Sequence, residues 1–126
     1  MRKLLLAFII AMAAPNAFAA DLNVSFDWGP TKKCLDPKSP PIKVSGVPQG
    51  TTTLDIKMID RNATGFNHGG GKVAYKGQAQ LPYGAFKYKG PCPPEGTHNY
   101  KITVTALDAA GKKLATGSAS QPFSKK

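Results

Sequence analysis

From Leu22 onward the apolar residues recur at every second position, and this period constrains the fold more than any other feature of the chain. Leu22, Val24, Phe26 and Trp28 alternate with Asn23, Ser25 and Asp27. Within Thr51 to Ile59, Leu54, Ile56 and Met58 share one face, and Thr53, Asp55 and Lys57 share the other. After Thr97, the series His98, Tyr100, Ile102, Val104 and Ala106 alternates with Asn99, Lys101, Thr103 and Thr105. Successive side chains of an extended strand point to opposite faces, so each run predicts a strand with one buried face. The 11 prolines and 13 glycines break the chain too often for helices to propagate.

Other strands follow the same logic. Ile42 and Val44 make a short strand closed by the turn Gly46-Val47-Pro48-Gln49-Gly50. Lys72 to Tyr75, Gln78 to Leu81 and Ala85 to Tyr88 read as weaker strands, and Lys113 to Phe123 as the return strand after an Asp108-Ala109-Ala110-Gly111 hairpin turn. Gly29 to Pro41 reads as irregular. Asp60 to Gly71, with its three consecutive glycines, reads as a loop too polar and flexible to be core. Short strands at regular spacing predict an all-β fold, a small β-sandwich with long loops and little or no helix.

The N-terminus predicts an address. Arg2 and Lys3 precede an apolar run from Leu4 to Ala14, and Ala17-Phe18-Ala19 has the small-x-small pattern of a cleavage site. The run is well short of the roughly 20 residues that cross a bilayer. Residues 1–19 therefore read as a cleavable secretory signal peptide and 20–126 as a single domain, soluble and periplasmic or secreted. In an oxidising compartment the only two cysteines, Cys34 and Cys92, are expected to form one disulfide. They lack the spacing of a redox motif or a zinc site.

The net charge of +10 falls to +8 once Arg2 and Lys3 leave with the signal. Such a charge serves solubility, and it also attracts small anions. The lysines are scattered from Lys32 to Lys126 with no dense basic run, which argues against nucleic acid as a partner.

The residues that could carry chemistry are few. His98 and Tyr100 lie two apart at the start of a strand, so both can face one small ligand. Asp60 ends the other strong strand, and His68 follows on the loop. From spacing alone a second reading is equally open, in which His98 and Tyr100 begin a half-buried face and Asp60 caps a turn. No nucleophile motif, H-E-x-x-H or phosphate loop occurs, so the chain reads as a non-enzyme without metal or cofactor.

The residues also carry a resemblance. Ser39-Pro40-Pro41 to Gly46-Val47-Pro48, the Asp60-Arg61-Asn62-Ala63 corner, His68, and the stretch Gly90-Pro91-Cys92-Pro93-Pro94-Glu95-Gly96-Thr97-His98-Asn99-Tyr100 followed by Ala106-Leu107-Asp108 resemble the phosphatidylethanolamine-binding protein family, also called Raf-kinase-inhibitor-like. The Gly-Pro-x-Pro-Pro-x-Gly-x-His-x-Tyr pattern is the specific part. The resemblance implies a β-sandwich with a small surface pocket for phosphate or a phospholipid head group. It implies ligand-binding roles for Asp60, His68, Gly90, Pro91, His98 and Tyr100. Three departures stand out. Asn62 replaces the motif's second acid and its prolines are missing, Asn99 replaces an arginine, and no room remains after Gly111 for a helical segment. These predict a shallower, more open site. The functional expectation is an exported binding protein for a small anion. The alternative is an envelope interaction or inhibitor module with a vestigial pocket and a protein partner.

Overall fold

The computed structural model describes residues 20–125, with no helix among them. The predicted signal peptide, residues 1–19, lies outside the described residues. The strands are β1 (Ala20–Asp21), β2 (Asn23–Phe26), β3 (Ile42–Ser45), β4 (Thr53–Asp60), β5 (Asn67–Ala74), β6 (Gln80–Leu81), β7 (Thr97–Leu107) and β8 (Lys113–Ser124). They form two sheets. The larger runs β1-β8-β7-β4-β5 and the smaller β2-β3-β6. All pairings are antiparallel except β1 with β8. The fold is all-β, as the alternation predicts.

The two sheets bury one core between them. Leu54, Ile56 and Met58 of β4 and Tyr100, Ile102, Val104 and Ala106 of β7 are buried, while Lys57 between them is exposed. Phe26, Ile42, Val44 and Leu81 face them from the smaller sheet. Burying each such side chain contributes about 1.5–3 kcal/mol, which is what holds the sheets face to face. The hairpin turn falls where expected, with Gly111 donating to the Asp108 carbonyl and at φ 81°.

Two predicted elements are corrected. The segment from Asn67 is not loop: it is β5, and all three glycines lie within that strand. They serve close contact rather than flexibility. A Cβ at Gly70 would overlap the Ile56 carbonyl oxygen, and one at Gly71 would stand 2.7 Å from Phe86 Cβ. Conversely, Ala85 to Tyr88 is not a strand. It joins the fold through an isolated bridge between Lys87 and Lys38, while Phe86 and Tyr88 still bury their rings.

Candidate functional site

The site is assembled by register. β4 and β7 pair so that Asp60 lies opposite Tyr100, at the end of the larger sheet where both strands point a side chain into the core face. His98, two residues before Tyr100, shares that face. On the other flank of β4 the pairing with β5 skips between Lys57 and Ile59, where Lys57 opposes Gly70 and Ile59 opposes Asn67. This bulge turns His68 inward. It is 3% exposed although its neighbours Asn67 and Gly69 are at the surface. His68 thus reaches the cluster from a paired strand and not from a flexible loop.

The side chains then lock together. His98 Nδ1 donates to Asp60 Oδ2 at 2.6 Å, and the other carboxylate oxygen accepts the Asn62 backbone N–H at 2.9 Å. His68 Nδ1 lies 2.7 Å from the Lys89 carbonyl. A carbonyl can only accept, so this nitrogen carries the proton. The rings of His68 and Tyr100 meet edge to face at 5.4 Å, and Phe66 lies 4.5 Å from His68 on its other side.

Electrostatics follow from burial and these bonds. Burial alone would raise the Asp60 carboxyl, but the His98 and Asn62 hydrogen bonds outweigh it and hold the group below the usual carboxylate range. Burial, with the Asp60 carboxylate adding to it, pushes the Tyr100 phenol up to about 12. Its hydroxyl lies near Asp60 and the Cys92 backbone, yet it is fully buried and closes no hydrogen bond. With Asp60 ionised and a carbonyl on His68, each imidazole has its Nδ1 occupied. Neither Nε2 has a hydrogen-bond partner among the described residues.

Four of the six predicted residues, Asp60, His68, His98 and Tyr100, are thus brought together. Gly90 and Pro91 are not part of that hydrogen-bonded set. A Cβ at Gly90 would stand 2.6 Å from the Asp36 carbonyl oxygen, so this glycine is required by close packing of two backbones. Pro91 is fully buried and its carbonyl accepts the Leu35 N–H at 3.4 Å. Both fasten the turn beside Tyr100 to the irregular segment after β2. The expected disulfide joins the same two segments, with the Cα atoms of Cys34 and Cys92 4.6 Å apart.

Sequence reasoning missed Phe66, Lys89 and the structural part played by Asn62. Asn62 Oδ1 accepts the Asn99 N–H at 2.7 Å, and Arg61 N–H donates to the Asn99 carbonyl at 2.8 Å. The altered corner is therefore tied to β7 by an acceptor that the motif's acid would equally supply. Lys89 Nζ stands 5.8 Å over the Phe66 ring. The spacing of Phe66 and His68, two apart near a strand end, was the one available signal. The predicted opening of the site is not found. Asp60, His68 and Tyr100 are buried, the His98 side chain is 16% exposed, and the described cavities are lined by other residues. Among the described residues no group of three or more His, Cys, Asp or Glu is placed to hold a metal.

Two facing sheets carry a carboxylate, two imidazoles and a phenol packed together at one end of a β-sandwich. Residues 70–125 match the family model for phosphatidylethanolamine-binding protein, a span that contains Gly90, Pro91, His98 and Tyr100. Over this span the chain is similar in sequence to that family. In fold it is similar to the crystal structure of a phosphatidylethanolamine-binding protein homologue from Chlamydia trachomatis, at TM-score 0.62 and 17% identity over 84% of this chain and 99% of that one. Among curated proteins none matches by sequence.

Proposed function

We propose that the protein is exported and binds a small anion, phosphate or the phosphoryl end of a phospholipid head group, at the Asp60–His68–His98–Tyr100 cluster, without catalysing a reaction. One observation carries this reading: both imidazoles have Nδ1 committed and Nε2 uncommitted, beside a buried phenol that closes no hydrogen bond among the described residues. Protonated imidazoles and a phenol are donors, and a phosphate oxygen accepts. Asp60 holds the His98 ring with its Nε2 edge free to face an anion. The ligand enters over His98, the most exposed of the four. Arg61, at the edge of the same corner, adds a cation. Export is supported by the leader pattern and by the disulfide, which persists in oxidising compartments. No helix among the described residues is long and apolar enough to cross a membrane.

Isothermal titration with phosphate and with phosphoethanolamine at about pH 6 and about pH 8 tests the proposal. Binding is expected at both and lost in His98→Ala. Absence of heat at millimolar ligand, or wild-type affinity in His98→Ala, overturns it. The near-complete burial of the cluster favours a second reading, an interaction module with a vestigial pocket. Recovery of one stoichiometric envelope partner, bound equally by Asp60→Asn and His98→Ala variants, would select it.

A further inference from the structure

A cleft of about 350 Å³ opens between the segment after β2 and the end of β8, walled by Trp28, Thr31 and Lys32 on one side and Pro122, Phe123 and Ser124 on the other. Its aromatic wall is rigid. Trp28 Nε1 donates to the Pro122 carbonyl at 2.7 Å, and the Trp28 and Phe123 rings meet edge to face at 5.2 Å. From the core side Phe26 and Tyr100 hold the indole at 5.2 and 5.6 Å. The indole nevertheless keeps part of its surface exposed.

Two polar side-chain groups of the cleft have no partner among the described residues. Thr31, fixed by its N–H to the Trp28 carbonyl at 2.9 Å, is 4% exposed and its hydroxyl is buried with no hydrogen-bond partner among the described residues. A buried hydroxyl left unpaired is destabilising, and valine would fill the same volume without that penalty. Lys32 is exposed and enters no ion pair among the described residues. A site with apolar walls and a few convergent polar groups is what small molecules occupy.

We infer that this cleft is a second binding site, for a small aryl carboxylate. The ring lies against Trp28 and Phe123, the carboxylate meets the Lys32 ammonium, and the Thr31 hydroxyl, covered in this structure, rotates toward the cleft to donate to one of its oxygens. Aromatic edges and faces favour a planar ring over an alkyl chain. The cleft adjoins the anion cluster, since Trp28 touches Tyr100 and Phe123 stands opposite His98 in register. It uses none of that cluster's polar atoms, so it stands without the phosphate reading.

Trp28 is the only tryptophan, so tryptophan fluorescence of the intact protein reports on this cleft and on its neighbour Tyr100, and the Thr31 and Lys32 variants separate the two. Phenylacetate is titrated in phosphate-free buffer, with acetate and phenylacetamide as the ringless and uncharged controls. The expected result is a saturable change in Trp28 emission with phenylacetate and none with acetate. Thr31→Val should weaken phenylacetate roughly 5- to 10-fold while its melting temperature holds or rises. Lys32→Met should reduce phenylacetate to the affinity of phenylacetamide. Unchanged phosphate heats in Thr31→Val would show that the loss is confined to the cleft. A non-saturating response in the wild type, or wild-type phenylacetate affinity in both variants, overturns the inference.

Discussion

Replacing Asp60 by asparagine removes the charge at the centre of the cluster and keeps its shape. The carboxylate, 3% exposed, accepts from His98 Nδ1 at 2.6 Å and from the Asn62 N–H at 2.9 Å. Asparagine can keep both contacts only if its oxygen takes the Asn62 N–H and its amide donates to His98 Nδ1, which forces the imidazole into the other tautomer. Two charge-assisted bonds become two neutral ones, a loss of about 1–2 kcal/mol. Relief of a buried charge works in the opposite direction. The depressed Asp60 pKa shows which term wins: the fold favours the ionised carboxylate over its neutral form, despite burial. Asp60→Asn should therefore be less stable at neutral pH, by an amount that lowers the melting temperature by roughly 4–8 °C per kcal/mol. Because the folded pKa lies below the unfolded one, this contribution is complete above the unfolded carboxylate range near 3.8. It is lost as pH falls through the folded value. Urea denaturation of both proteins along a pH series measures the gap. A variant as stable as wild type at pH 7, or a gap that widens on acidification, would refute the reasoning.

Two further outcomes are expected. Tyr100→Phe deletes a buried hydroxyl that closes no hydrogen bond among the described residues, so thermal melts should show unchanged stability or a gain of about 1 kcal/mol, while calorimetry shows weaker phosphate binding. A substantial loss of stability would mean that the hydroxyl has a structural partner. For the Cys34→Ala/Cys92→Ala double variant, a bridge closing 58 positions is worth about 4 kcal/mol in the chain-entropy treatment, so the urea midpoint should drop sharply. An equal midpoint with and without the bridge would refute that estimate.

The strands that could be read from sequence are those whose side chains alternate: β2, β3, β4, β7 and β8 lie where Leu22 to Trp28, Ile42 to Val44, Leu54 to Met58, His98 to Ala106 and the Lys113 to Phe123 return place them. β5 was illegible for the opposite reason. Its centre is Gly69-Gly70-Gly71, and a strand without side chains has no period to show. Ala85 to Tyr88 misled because its alternation reports buried Phe86 and Tyr88 in an irregular crossing, supported by one bridge. Within the site, His98 and Tyr100 were legible from their spacing and Asp60 from its place at a strand end. The burial of His68 depends on a bulge between β4 and β5, and register across strands leaves no local mark in either one. The roles of Gly90 and Pro91 were legible only as ligand contacts through resemblance. The structure shows backbone packing against Asp36 and Leu35.

The glycine strand has a mechanical consequence. Between β4 and Phe86 no rotatable side chain intervenes, because Gly70 lies against the Ile56 backbone and Gly71 against the Phe86 side chain at its Cβ. Side chains absorb small displacements by changing rotamer, and here the glycines leave only the buried Phe86 ring to do so. Any shift of β4 is passed directly to the chain that runs from Phe86 to Lys89, whose carbonyl sets the His68 ring. The corner therefore behaves as a rigid strut. His68 keeps its aim only as long as β4 keeps its place.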